Sequence, residues 1–197
     1  MAKPKRKVIA LVNRKGGVAK TTSSGYIAAV LHAAGHKVTG IDTDPEKGWM
    51  KWAATDSLDY PVVEANQETL LKIVREIDGY IVIDTPPNDG EIITKACLVA
   101  DEVIVPVAGT GHDMSRLQST LAAVGDMEAH RGEALASVLL TRWKPNLIIS
   151  REVLREMERN KIPVAQVKIH ERTAYEGLER PEYQQEYRAF LEELKVL

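Results

Sequence analysis

Short runs of β-branched and aliphatic residues recur along the chain at Val8–Val12, Val38–Ile41, Tyr80–Ile83, Val103–Val107, Ala136–Leu140 and Val164–Ile169, with longer helix-permissive segments between them. The runs are nearly continuous in apolar character, as expected of strands covered on both faces. Strands that alternate with helices imply βαβ units and a parallel sheet. The spacing predicts helices over 21–34, 67–77, 91–100, 115–130 and 148–160, with Gly35 as the C-cap of the first. No internal repeat, low-complexity stretch or Pro/Gly-rich linker divides the 197 residues. The expected fold is therefore α/β, a doubly wound, mostly parallel sheet with helices on both faces, formed as a single domain over 1–197.

In such sheets ligands bind at the carboxyl ends of the strands, and the first run leads directly into Asn13-Arg14-Lys15-Gly16-Gly17-Val18-Ala19-Lys20-Thr21-Thr22. A strand, a glycine-containing turn and a helix start present backbone N–H groups and a positive helix terminus to an anion. In a phosphate-binding loop of this kind Lys20 reaches the β- and γ-phosphates and the Thr21 hydroxyl holds Mg²⁺. The pattern G-x-x-x-x-G-K-[ST] is not met, because Arg14 and Ala19 occupy its two glycine positions. An alanine forced to positive φ there costs about 1–2 kcal/mol, which predicts weaker nucleotide binding or slower turnover than in a glycine version.

Two further strand ends carry carboxylates, in Asp42-Thr43-Asp44-Pro45 and in Asp84-Thr85-Pro86-Pro87. A hydrophobic strand that ends in Asp supplies a rigidly held carboxylate for Mg²⁺, usually through water, and Asp84 is the candidate for this part.

The segment K-G-G-x-x-K-T-T from Lys15 to Thr22, followed by D-x-D-P and hhhD-T-P-P, resembles the deviant Walker A ATPases of the ParA/MinD family, most closely the short ParA-type DNA partition proteins. The resemblance implies a P-loop fold and slow hydrolysis of ATP to ADP and phosphate, with ATP and Mg²⁺ as cofactors. It implies nucleotide contacts from Lys15, Gly16, Gly17, Val18, Ala19, Lys20, Thr21 and Thr22. Lys15 is the signature lysine that reaches the partner's nucleotide across a homodimer, Lys20 the loop lysine and Asp44 the residue that positions the attacking water. The expected metal set is Thr21, Asp42 and Asp84. Leu139-Leu140-Thr141-Arg142-Trp143 resembles the family segment near the adenine ring, so Arg142 joins the nucleotide-binding set, whereas Trp143 reads as a packing residue.

Partners follow in the same way. The formal net charge of −2 gives no whole-chain argument for nucleic acid, so DNA contact must come from local patches. Arg151, Arg155 and Arg159 repeat at i, i+4 along one helix stripe, with Glu152, Glu156 and Glu158 between them to make a salt-bridged solvated surface the competing reading. Arg172 lies in Ile169-His170-Glu171-Arg172-Thr173-Ala174-Tyr175, which resembles a C-terminal segment of small ParA proteins. Arg151, Arg155 and Arg172 are the expected DNA contacts. The resemblance implies an ATP-bound homodimer on nonspecific DNA, released when a ParB-like partner stimulates hydrolysis, in a cytoplasmic, nucleoid-associated protein.

Two other readings compete. A MinD-like membrane-associated regulator needs a basic amphipathic C-terminal helix, whereas Tyr187–Leu197 has a short apolar face with acidic neighbours, so no stable membrane association is expected. A nucleotide-binding scaffold with little turnover is the reading that Ala19 favours. The single Cys97 argues against a shared iron–sulfur cluster and is expected to be a buried apolar residue on a helix.

Overall fold

The computed structural model describes residues 6–55, 58–109, 114–132, 136–171 and 181–197. Six strands form one sheet: β1 (Lys7–Leu11), β2 (Val38–Asp42), β3 (Val62–Glu64), β4 (Tyr80–Asp84), β5 (Glu102–Ala108) and β6 (Ala136–Thr141). They lie in the order β3-β2-β4-β1-β5-β6, and every pairing is parallel. The helices are α1 (Lys20–Ala33), α2 (Gly48–Ala53), α3 (Leu70–Glu76), α4 (Gly90–Val99), α5 (Met114–Arg131), α6 (Ile148–Arg159) and α7 (Pro181–Glu193). The expected doubly wound α/β fold is the observed one.

Both faces of the sheet are covered, which explains why its strands read as continuous apolar runs. Val8, Ala10 and Val12 face a core built with α3, α4, α5 and α6, while Ile9 and Leu11 face a second core built with α1, α2 and α7. Alternate residues of one strand thus serve opposite layers. Cys97 is buried in the first core, and burial pushes its thiol up to about 12. At the end of α1, Gly35 at φ 87 donates to His32 O and His36 donates to Leu31 O, a Schellman closure that no residue with a Cβ takes up as readily.

Two strand segments depart from the sequence expectation, and a short helix follows the second strand. β3 is a three-residue edge strand, too short to announce itself by periodicity. Trp49 and Trp52 lie on the short helix α2, with Trp49 fully buried beneath β2, where a Cβ on Gly40 would sit 2.7 Å from the indole. The run Val164–Ile169, expected as a strand, makes only an isolated parallel bridge to β6 at Val164, with a second at His170. Its inward groups do pair, since Ala165 N–H donates to Val138 O and Ile169 N–H to Leu140 O. Other N–H groups of this segment are captured by α7 carboxylates: Glu193 accepts from Gln166 and Val167 at 2.8 and 3.0 Å, and Glu186 accepts from His170 just beyond it at 3.1 Å. Side-chain acceptors from a helix thus take the bonds that a further strand would need, and they blunt the edge of the sheet.

Helix α7 itself packs on the helix that follows the first strand. Tyr26 stacks on Tyr187 at 5.3 Å and tilts against Tyr183 at 5.2 Å, and the Ser23 and Tyr187 hydroxyls are 2.7 Å apart. The apolar residues Tyr187, Phe190, Leu191 and Val196 are all buried in the second core. Among the described residues no helix is long and apolar enough to cross a membrane.

Candidate nucleotide site

The chain leaves β1 and turns at Asn13, whose Oδ1 accepts from Lys15 N–H at 2.8 Å while its amide donates to Pro106 O at 2.8 Å. Arg14 N–H donates to the Thr120 hydroxyl on α5. Gly17 and Ala19 have φ of 73° and 61°, so both sit in the left-handed region. Ala19 is also the N-cap of α1 and makes no side-chain capping bond, which leaves the positive end of α1 to act on whatever lies in front of it.

Lys20 begins α1 and is 93 % buried, with Nζ donating to Lys15 O at 3.1 Å. Burial lowers its pKa, while Asp84 and Asp44 oppose that shift. Thr21 donates its hydroxyl to Asp84 Oδ2 at 2.6 Å, and Ser24, one helical turn on from Lys20, donates to Asp84 Oδ1 at 3.2 Å. Asp84 is fully buried at the end of β4, and burial raises its carboxyl to about 7; Asp42 adds to the shift, and the bonds from Thr21 and Ser24 together with Lys20 counter it.

Asp42 and Asp84 are register partners on adjacent strands, but their surroundings divide the work. Asp42 Oδ1 accepts from Asp44 N–H, and its Oδ2 accepts from Trp49 and Met50 N–H, each at 3.0 Å. Its carboxylate is engaged by the turn and by the start of α2, so Asp42 holds the segment that carries Asp44. Asp44 remains half-buried and accepts from Glu46 N–H through Oδ1 at 2.9 Å.

A cleft of about 820 Å³ lies between these parts. It is walled by the loop and helix start (Gly16, Gly17, Ala19, Lys20, Thr21, Thr22), by Asp44-Pro45-Glu46 and by Pro86-Pro87-Asn88-Asp89. The cleft combines a desolvated ammonium, left-handed backbone and a helix N-terminus at one wall, which suits a polyphosphate. Thr21 and Asp84 add two hard oxygen donors in contact, which suits Mg²⁺. Sequence reasoning missed Ser24 and the 86–89 wall; Pro86 and Pro87 stood beside Asp84 in the quoted motif.

The other expected residues lie apart from the cleft. Val18 is buried beneath the loop. Arg142, at the end of β6, has φ 50 and reaches Glu171 through Nε at 2.9 Å and Nη2 at 2.8 Å, with Nη1 donating to Gly17 O at 3.4 Å. It touches the loop at the Gly17 carbonyl. Lys144 pairs with the same Glu171, whose carboxyl is held low chiefly by the bond from Lys144 and also by that from Arg142. Trp143 is a packing residue, 7 % exposed in the first core. Arg151, Arg155 and Arg159 all face solvent on α6, opposite the buried Val153 and Met157. Arg172 lies outside the described residues. Among those described, no cluster of His, Cys, Asp and Glu forms a metal centre.

A model of the CobQ/CobB/MinD/ParA nucleotide-binding domain matches residues 9–182. The chain belongs to this family. Like other ParA/MinD-type domains it is a P-loop ATPase whose cofactors are ATP and Mg²⁺. It is 34 % identical over 185 residues to maintenance of carboxysome distribution protein A of Gloeobacter kilaueensis, covering 87 % of this chain and 82 % of that one. It is 26 % identical over 200 residues to the sporulation initiation inhibitor protein Soj of Bacillus subtilis, covering 78 % and 79 %. Its fold matches cobyrinic acid a,c-diamide synthase of Mycobacterium smegmatis, a structure with bound ADP and magnesium, at a TM-score of 0.75, 21 % identity and coverage of 97 % and 94 %. In this ParA/MinD-type domain the loop, Asp44 and Asp84 stand at the carboxyl ends of three neighbouring strands, β1, β2 and β4.

Proposed function

We propose that this chain, as one P-loop domain over 1–197, is a partition or positioning ATPase whose ATP-bound homodimer holds nonspecific DNA and lets go when a ParB-like partner stimulates hydrolysis. The observation that carries the reading is the juxtaposition of Lys20, the Thr21–Asp84 pair and Asp44 at one cleft, with the Lys15 carbonyl accepting from Lys20 Nζ. Relatives named for carboxysome distribution and for chromosome partitioning support a role in placing a large cargo.

The chemistry assigned to the cleft is in-line attack of water on the γ-phosphate, which is mostly positioning and charge stabilisation. Mg²⁺, when bound, neutralises charge on the β- and γ-oxygens. Thr21 and Asp84 would hold it. The helix start and Lys20 fix the phosphates, and Asp44 orients the water from a turn that Asp42 keeps rigid. Lys15 contributes a cation to the nucleotide of the second copy, which makes dimer formation depend on ATP. The solvent-facing Arg151 and Arg155, doubled in the dimer, supply phosphate contacts on DNA, and Arg172 is assigned the same role. The place of action is the cytoplasm, at the nucleoid. Membrane association is not part of the proposal, since the apolar residues of α7 are spent in the core.

Retention on nonspecific DNA, measured with ATP, with ADP and without nucleotide, tests this directly. Retention is expected with ATP alone, and equal retention in all three would refute it. Asp44→Ala should bind ATP normally, hydrolyse it slowly and accumulate as a dimer on DNA; undiminished turnover would remove Asp44 from the mechanism.

A further inference from the structure

The phosphate loop is held from behind by the end of β6. Thr141 Oγ1 lies 3.1 Å from Val18 O and 3.3 Å from Val107 O, so one buried hydroxyl ties the loop to the β5–β6 ladder. The next residue, Arg142, reaches the preceding loop carbonyl, Gly17 O. Arg142 is itself at φ 50, an unfavourable backbone for an arginine, and Glu171 grips its guanidinium by Nε and Nη2.

We propose that Thr141 and Arg142, the latter oriented by Glu171, form a clamp that keeps the loop in its anion-binding conformation in a chain with alanine at position 19. The proposal rests on the nucleotide reading of the cleft and names the positioning residues of that site.

A trans peptide points its C=O and its N–H in opposite directions. Neither Thr141 nor Arg142 lines the cleft, whereas Gly17 and Ala19 do. Carbonyls 17 and 18 drawn toward β6 therefore turn the N–H groups of Val18 and Ala19 toward the cleft. The same two bonds bracket the backbone leading into Ala19, whose φ of 61° an L-residue leaves when nothing holds it. A glycine at this position takes up that φ unaided, whereas an alanine needs its neighbours fixed. Thr141 is fully buried, so no water replaces its bond when the hydroxyl is removed. The strain at Arg142 has a use in this arrangement: a left-handed turn at the strand end throws its side chain back across the loop.

The clamp predicts coupling between position 141 and position 19. ATP affinity of the full chain with Mg²⁺, read by calorimetry, should fall about tenfold in Thr141→Val and be restored in Thr141→Ser, which keeps the hydroxyl. In an Ala19→Gly background the same Thr141→Val change should cost less than about threefold, because glycine reaches the left-handed region freely. Glu171→Gln, at a half-buried position, should weaken ATP binding about threefold with alanine at position 19 and not with glycine there; it serves as the second route if Thr141→Val does not fold. Equal losses in both backgrounds would assign Thr141 and Glu171 to general packing and overturn the clamp, as would no loss in either. A native chain that fails to bind ATP at all would overturn the nucleotide reading, and the clamp with it. That outcome is separate from the others because it appears before any substitution is made.

Discussion

Ala19→Gly is the substitution whose effect follows most directly from the backbone. At φ 61 and ψ 34 an alanine is strained by about 1–2 kcal/mol relative to glycine. Glycine also loosens the unfolded chain, which returns about 0.5–1 kcal/mol of the gain. The net expectation is a stabilisation of about 0.5–1 kcal/mol. For a chain of 197 residues this corresponds to a rise in Tm of about 1–4 °C. The strain belongs to the fold, because the protein's own bonds hold it: Ser23 N–H donates to Ala19 O at 2.9 Å, and the Thr141 hydroxyl donates to Val18 O at 3.1 Å. ATP affinity is therefore expected to change by less than about threefold, against the weaker binding that the alanine implied when its conformation was unknown. Denaturant and thermal unfolding without nucleotide, paired with calorimetric titration of ATP, measure the two quantities separately. A variant that is less stable than the native chain, or one whose ATP affinity rises tenfold at unchanged stability, would refute the reasoning.

Other expectations follow from individual contacts. Lys20→Ala should weaken ATP binding about a hundredfold, since it removes a desolvated cation at the phosphate wall; unchanged calorimetric affinity would unseat the loop as the nucleotide site. Asp84 titrates near 7 in the fold against 3.8 for an ordinary carboxyl, so the folded state keeps a proton that the unfolded chain has lost. The stability of the neutral form is complete below about pH 4 and is lost as pH rises through 7, by a few kcal/mol at most. Metal-free unfolding from pH 4 to 8 should show this slope in the native chain and lose it in Asp84→Asn, and parallel slopes would contradict the assignment. Gly40→Ala should cost about 1–3 kcal/mol, because the added methyl would lie 2.7 and 2.8 Å from the Trp49 ring; an unmoved urea midpoint would show that α2 gives way freely.

Much of the architecture was legible in local pattern. Five of the six apolar runs are strands, and each of the five expected helices is present, its ends within a few residues of their forecast positions. Gly35 marks the end of α1 through the left-handed closure its residue type favours. The order loop, D-x-D-P, D-T-P-P placed Lys20, Thr21, Asp44 and Asp84 around one cleft, because each follows a strand and parallel strands end at the same edge. Local chemistry alone carried this information, since periodicity and turn residues act over a few positions.

What tertiary structure decided was which partner captures each polar group. Val164–Ile169 has the composition of a strand, yet Glu186 and Glu193 of α7 take its outer N–H groups across 16 to 27 residues of sequence. Asp42 and Asp84 end neighbouring strands with similar motifs, but one carboxylate caps backbone at α2 and the other meets Thr21. Arg142 ties Glu171 to the back of the loop, 125 residues away in sequence at Gly17. The sign of φ at Ala19 was likewise invisible, because the bonds that set it come from β6. A hydrogen bond is satisfied by whatever lies within about 3 Å, and proximity of that kind between distant segments exists only once the chain has folded.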